Sequence, residues 1–279
     1  MYLPLLIQGL IELEKLLKSV ETKSTNTKKS YITQYNKLYN LLGKPISKTS
    51  EKLVIEIVLQ QPNRNAQQAL LNIAILVRRA ADLSTKQLEL TRDKNKAKLQ
   101  QDVKENNIGL KEELPSYQEL LDYLDYLYDN ELWAYYVINY LLINFQTRNS
   151  DLIFDIVKLK RDTQDDSKNY LWVASKKITF VRNVYKTAKT YHQKSDIITD
   201  PRFTLAIKKI IEKDITIIPN PELVGHYVKN ATYNKLGENL YFKIQVAHFK
   251  NDMNKIKEMS NNRGTSVDTI TESYNIENL

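Results

Sequence analysis

Phe145-Gln146-Thr147-Arg148-Asn149-Ser150-Asp151-Leu152 closes a strongly apolar segment, 130–145, and places an arginine just where the apolar residues stop. The segment before it carries aromatic and aliphatic residues on most helical faces, which predicts a buried core helix. Short β-rich runs follow at 171–174, 178–181 and 197–198. They predict a small antiparallel sheet after the arginine, so the arginine stands at the change from helix to sheet.

Helical periodicity dominates the rest of the chain. Apolar residues recur every three or four positions over 3–20, 30–42, 50–60, 65–83, 117–128, 201–213, 239–250, 251–259 and 267–275. Segment 91–114 is rich in charge and poor in large apolar residues, which favours a linker. We therefore predict a mainly α chain made of a helical domain at 1–90, a charged linker at 91–114 and a second domain with the sheet at 115–279.

Composition limits the chemistry that the chain can perform. Lys and Arg number 41 against 33 Asp and Glu, a net charge of +8, which is compatible with a nucleic-acid partner. The absence of cysteine excludes disulfides and thiolate chemistry, and the three histidines are far apart, so we expect no metal and no other cofactor. Segment 1–17 is too short and too charged to span a membrane, and we expect an intracellular protein with no membrane partner.

Two further segments carry reactive side chains. Val184-Tyr185-Lys186-Thr187-Ala188-Lys189-Thr190-Tyr191 lies between β-rich runs and predicts a basic hairpin. Asn262-Arg263-Gly264-Thr265-Ser266 predicts a turn before a helix that ends in Tyr274. Together with the segment around Arg148, these segments resemble the catalytic domain of tyrosine recombinases (phage-type integrases) in their order and spacing.

The resemblance implies a site-specific DNA recombinase or integrase and gives each residue a role. Arg148 would clamp the phosphate, and Lys186, with Lys189 beside it, would protonate the leaving 5′ oxygen. Arg263 would support the phosphate from the C-terminal turn. Tyr274 would attack the phosphorus and hold the DNA as a 3′-phosphotyrosine. Because a free phenol has a pKa of about 10, this nucleophile needs cations or a proton acceptor nearby.

One part of the family pattern is missing. The family carries His-x-x-Arg between the hairpin and the tyrosine, whereas here Lys243 falls at the arginine position and Leu240 at the histidine position. A lysine supplies charge without the bidentate clamp. His248 is a supporting candidate nearby. The departure leaves open a DNA-binding protein of the same fold with a decayed centre, or a type IB-like topoisomerase acting as a monomer.

Each segment also has an ordinary interpretation. Arg148 would satisfy carbonyls at a helix end, the hairpin would be a solvated basic loop, and Tyr274 is one of 18 tyrosines.

The resemblance also implies partners and location. It implies double-stranded DNA bound by a homodimer or tetramer, a helical core-binding-like domain at 1–90, and no small-molecule substrate. The protein would act at DNA in the cytoplasm or nucleus, in a virus or mobile element. Candidate phosphate contacts are Arg78, Arg79, Lys208 and Lys209, with ordinary solvated charge as the alternative.

Overall fold

A computed structural model of the chain describes residues 3–110, 113–175, 177–274 and 276. It is mainly helical with one small mixed sheet of four strands. The chain divides into two compact units, 1–105 and 106–279. None of the helices in the described ranges combines the length and the apolar character needed to cross a bilayer.

The first unit is helical. Its helices are α1 (Leu3–Ser19), α2 (Thr25–Leu42), α3 (Glu51–Leu59), α4 (Arg64–Ala80) and α5 (Lys86–Leu110), of which residues 86–105 belong to this unit. Side chains of Ser24, Ser50 and Asn63 accept backbone N–H bonds at the starts of α2, α3 and α4, which is why these helices begin there. Apolar faces of α1, α2 and α3 pack on the buried face of α4.

A buried carboxylate joins two segments of this unit. Glu12 is 6 % exposed and accepts from the Tyr35 hydroxyl at 2.9 Å and from the backbone N–H groups of Ile46 at 3.0 Å and Ser47 at 2.6 Å. Burial and the neighbouring Glu12 carboxylate raise the pKa of Tyr35. The network fixes the turn after α2 against α1.

The segment predicted as a linker is helical through most of its length. Helix α5 continues to Leu110, and residues 111 and 112 lie outside the described part. Few large apolar residues occur in α5, so the sequence does not show which face packs inward. The Glu51 carboxylate accepts the N–H groups of Gln87 at 2.8 Å and Leu88 at 3.1 Å, and this bond anchors the first turn of α5.

The second unit surrounds the apolar helix that precedes Arg148. Its helices are α6 (Tyr117–Asp129), α7 (Trp133–Phe145), α8 (Ala188–Tyr191), α9 (Pro201–Glu212), α10 (Val224–Ala231), α11 (Glu238–His248), α12 (Met253–Arg263) and α13 (Val267–Ser273). Helix α7 packs against α6, α9 and α11 and is buried on most faces, as its sequence predicts.

The prediction of a purely antiparallel sheet was wrong. The strands are β1 (Phe154–Val157), β2 (Asn169–Val173), β3 (Ile178–Arg182) and β4 (Lys194–Ile198), in that spatial order. β2–β3 and β3–β4 are antiparallel, whereas β1 pairs with β2 in parallel. The connection from Lys158 to Lys168 is long enough for a parallel crossover, which the sequence pattern does not reveal.

Candidate functional site

The stretch after α7 is held by a buried glutamine. Gln146 adopts the left-handed conformation (φ 47°) that ends α7, and its side chain is 1 % exposed. Its Nε2 donates to the Ile143 carbonyl at 2.6 Å and to Gln245 Oε1 at 2.9 Å, and its Oε1 accepts from Asn262 at 2.9 Å. The predicted turn at 262–266 is therefore fixed directly against the stretch that contains Arg148.

Cations gather around the C-terminal end of α12. Arg148 Nη1 donates to the Arg263 carbonyl at 2.5 Å, and Arg182 Nη1 donates to the Asn262 carbonyl at 2.9 Å. Lys194 Nζ donates to the carbonyls of Asn261 and Asn262, the second at 3.2 Å. The last carbonyls of a helix carry partial negative charge, so these cations stabilise the helix end. We call Arg148, Arg182, Lys194 and Arg263 the α12 cation cluster.

The turn that follows α12 requires glycine at position 264. Gly264 has φ +62°, and a Cβ there would lie 2.5 Å from Thr187 Oγ1. That hydroxyl donates to the Gly264 carbonyl at 2.8 Å. The connection between β3 and β4 is thereby tied to the turn after α12, which brings the second and third sequence motifs together.

Arg263 lies inside the protein. Its side chain is 1 % exposed, and Nη2 donates to Glu238 Oε1 at 3.0 Å and to Asn239 Oδ1 at 2.8 Å. Nη1 donates to the carbonyls of Gln146 at 3.3 Å and Thr147 at 3.4 Å. The other Glu238 oxygen accepts the Asn149 N–H. Both terminal nitrogens are thus bonded to protein groups, whereas Nε is buried and makes no hydrogen bond to a described residue. The expected contact of Arg263 with phosphate stays a prediction.

Tyr274 ends α13 beside this arginine. The Arg263 guanidinium carbon lies 5.4 Å from the centre of the Tyr274 ring and 4.3 Å from that of Phe242. The Tyr274 ring meets the Phe242 ring edge to face at 4.8 Å. Tyr274 is partly exposed, and its hydroxyl makes no hydrogen bond to a described residue. The Tyr274 side chain is therefore held in place by the contacts of its ring with Phe242 and Arg263.

Arg148 is half-buried and shares an electrostatic environment with Tyr274. Its pKa is lowered mainly because burial desolvates the guanidinium, and secondly because Arg263 is nearby. Asp151, Tyr274 and Glu238 act in the opposite direction. The structure thus brings together Arg148, Arg263 and Tyr274, which come from three separate segments of the sequence.

The sequence missed Arg182 and Lys194. Arg182 is fully buried, pairs with Asp196 at 2.7 Å and lies 3.9 Å from Asp151. Burial lowers the pKa of Lys194 to about 8, with Arg182 as the next cause. Its ammonium also lies 4.9 Å from the Tyr185 ring and 5.5 Å from the Tyr191 ring. The inward-facing position of Arg182 in a β-rich run was the one available signal.

Lys186 and Lys189 lie beside the cluster and point to solvent. Both are exposed, and neither side chain makes a hydrogen bond or ion pair with a described residue. The neighbouring Thr187 is fixed to Gly264. Lys186 therefore lies on a connection that is fixed to the turn after α12, while its ammonium makes no bond to a described residue.

Lys243 does not join the cluster. Its Nζ donates to Asn107 Oδ1 at 2.6 Å, and burial lowers its pKa. Its neighbour Phe242 faces Arg263, and consecutive residues on a helix face different directions. The ammonium of Lys243 is therefore bonded away from the cluster, and its assignment to the phosphate clamp stays a prediction. His248 stacks on Tyr117 at 4.5 Å and packs on Phe249 at 4.6 Å, which makes it part of an aromatic contact.

The predicted phosphate contacts are mostly engaged elsewhere. Arg78 is 8 % exposed and donates to the carbonyls of Thr49 at 2.7 Å and Ser84 at 2.8 Å, so its guanidinium is engaged within the protein and its contact with DNA stays a prediction. Arg79 pairs with Glu89 at 2.8 Å, and Lys209 pairs with Glu212 at 2.8 Å. Lys208 is exposed.

Within the described ranges, His, Asp and Glu side chains form no group of three or more that is placed to hold a metal ion. The polar groups around α12 are cations, amides and carboxylates paired with them. No protein-family model, no curated protein and no solved structure matches the chain.

Proposed function

We propose that the protein cuts and rejoins double-stranded DNA through Tyr274, as a site-specific recombinase or integrase does. The observation that carries the proposal is the meeting of Tyr274 with Arg263 and Arg148 at the end of α12. This meeting joins residues that the sequence separates widely, and the phenol oxygen makes no hydrogen bond to a described residue.

In the proposed reaction the Tyr274 phenol gives its proton to solvent water, and its oxygen attacks a backbone phosphorus. The phosphorus–O5′ bond breaks, a lysine gives its proton to the departing oxygen, and the phosphate stays on Tyr274 as a 3′-phosphotyrosine. The reverse reaction, with a 5′ hydroxyl as the attacking group, rejoins the strand. Arg148 would hold the non-bridging phosphate oxygens. Arg263, which packs on the rings of Phe242 and Tyr274, would hold Tyr274 in position. We assign the donated proton to Lys186, whose ammonium makes no bond to a described residue. Lys194 adds positive charge to the α12 cation cluster.

A nicked suicide duplex tests the proposal, because loss of the short cleaved strand traps the covalent product. We expect a protein–DNA adduct on a denaturing gel with the native chain and none with Tyr274→Phe. Tyr191→Phe is the matched control, since Tyr191 is an exposed phenol beside Lys194 of the same cluster. An adduct that persists in Tyr274→Phe would reject this nucleophile.

DNA binding without cleavage is the second candidate. It is favoured by the engagement of Arg263 with Glu238 and Asn239, and by the direction of Lys243 toward Asn107. This candidate predicts salt-sensitive duplex binding and no adduct on any substrate. Activity of a monomer on a single site, without strand exchange, would favour a topoisomerase instead of a recombinase that works in pairs or tetramers.

A further inference from the structure

The first unit contains a cavity of about 440 Å³ between the start of α4 and the middle of α5. Arg64, Lys94 and Lys98 line it, together with polar side chains, and no carboxylate does. A concave surface with cations on its walls concentrates positive potential inside it.

The cations of this cavity are available to a ligand. Lys94 and Lys98 are exposed and make no hydrogen bond or ion pair with a described residue. They are four residues apart on α5, which places them about 6 Å apart along the helix axis. Arg64 pairs with Asp102 at 2.5 Å, and both side chains are well exposed, at 43 % and 37 %. Exposed pairs of this kind contribute about 0–1 kcal/mol, so an incoming anion displaces the carboxylate at little cost.

The floor of the cavity is fixed by buried amides. Asn95 is 5 % exposed, and its Nδ2 donates to the Arg64 carbonyl at 3.1 Å and to Gln68 Oε1 at 2.9 Å. Gln67 Nε2 donates to the carbonyls of Leu59 at 3.2 Å and Gln61 at 2.6 Å. These bonds hold α3, α4 and α5 at set distances, so the positions of the three cations are set by the fold.

We propose that this cavity is a phosphate-binding site, in which Lys94, Lys98 and Arg64 hold phosphate oxygens. The lysines act as point charges, and the guanidinium offers paired donors to a single phosphate group. The phosphate belongs either to a nucleic-acid backbone or to free phosphate, since both present the same oxygens. The site lies in a different unit from Tyr274, and its occupancy does not depend on strand cleavage.

Binding of the full chain to a labelled DNA duplex of arbitrary sequence, measured by anisotropy over a series of salt concentrations, is the first arm of the test. Each phosphate contact contributes about 0.9 to the slope of log affinity against log salt. We expect the double variant Lys94→Gln/Lys98→Gln to reduce that slope by about 2. The matched control is Lys96→Gln/Lys104→Gln, which removes the same charge from exposed positions of α5 outside the cavity.

Inorganic phosphate is the second arm, titrated at constant ionic strength against chloride while backbone amide NMR signals are followed. Saturable shifts at Arg64, Lys94 and Asn95 that vanish in the double variant support the site. If these shifts occur while the DNA slope is unchanged, the ligand is free phosphate. Equal slope losses in the two double variants, or no response in either arm, would overturn the proposal. The adduct assay with Tyr274→Phe is scored separately, so failure of one proposal does not imply failure of the other.

Discussion

The α12 cation cluster and the α4–α5 cavity both concentrate positive charge, but their side chains face different surroundings. Arg182 and Arg263 are buried and bonded to carbonyls and carboxylates of the protein. Lys94 and Lys98 face solvent and are unpaired within the described residues. Buried cations lacking protein partners would be very costly, so the buried group serves the fold, whereas the exposed group is free to bind. In these two regions, burial therefore separates the basic side chains that stabilise the fold from those that are available to a ligand.

The largest effect should come from removing a fully buried charge whose carboxylate partner is also largely buried. We expect Arg263→Met to destabilise the second unit by about 3–5 kcal/mol, because it leaves the largely buried Glu238 carboxylate without its cation. Both tryptophans, Trp133 and Trp172, lie in this unit, so their fluorescence during urea unfolding reports on it. The control Arg161→Met alters a side chain that is 79 % exposed and should change stability by less than about 0.5 kcal/mol. Equal effects in the two variants would contradict the structural role of Arg263.

The next largest loss of stability should come from a substitution in the turn that follows α12. Gly264→Ala should cost about 1–2 kcal/mol for the left-handed backbone and more for the contact with Thr187. Gly43→Ala is the matched control, because its φ is +66° and no atom lies within 4 Å of the added Cβ. Thermal unfolding followed by circular dichroism compares them. If Gly264→Ala costs no more than Gly43→Ala, the close approach of Thr187 has no energetic weight.

Lys194 gives the cluster a dependence on pH. Its pKa is about 8 in the folded protein, below the ordinary lysine value, so between these two values the unfolded chain binds more protons. The contribution of Lys194 to stability should therefore rise as pH increases from about 8 to 10.5, by less than about 3 kcal/mol because the side chain is only partly buried. The stability difference between the native chain and Lys194→Met, measured by urea unfolding at each pH, isolates this contribution. Lys186→Met is the matched control, because it removes the same charge at an exposed position.

Local pattern predicted the helices, because helical periodicity and capping depend on near neighbours. The apolar segment before Arg148 became the central helix. The structure places Arg148, Arg263 and Tyr274 close together, and their roles stay predictions. Local pattern does not predict side-chain direction or distant partners. The Lys243 ammonium, one position along α11 from Phe242, bonds to Asn107.

The role of Arg182 also could not be predicted, because its partners Asn262 and Asp196 become neighbours only through the fold. Likewise, the parallel pairing of β1 depends on a crossover that has no local signature. The charge density of α5 suggested a linker because a helix with mainly polar faces shows little periodicity.

The smallest effect on stability should come from the exposed pair at the α4–α5 cavity. Asp102→Asn removes the carboxylate that faces Arg64, and we expect stability to change by less than about 1 kcal/mol because both side chains are largely solvated. The same change frees Arg64, so the slope of log DNA affinity against log salt should increase by up to about 1. Asp93→Asn is the control, since it adds the same charge to α5 at a pair outside the cavity. A stability loss above about 2 kcal/mol in Asp102→Asn would place Arg64 among the structural cations. Equal binding gains in both variants would mean that net charge, and not the cavity, attracts the phosphate.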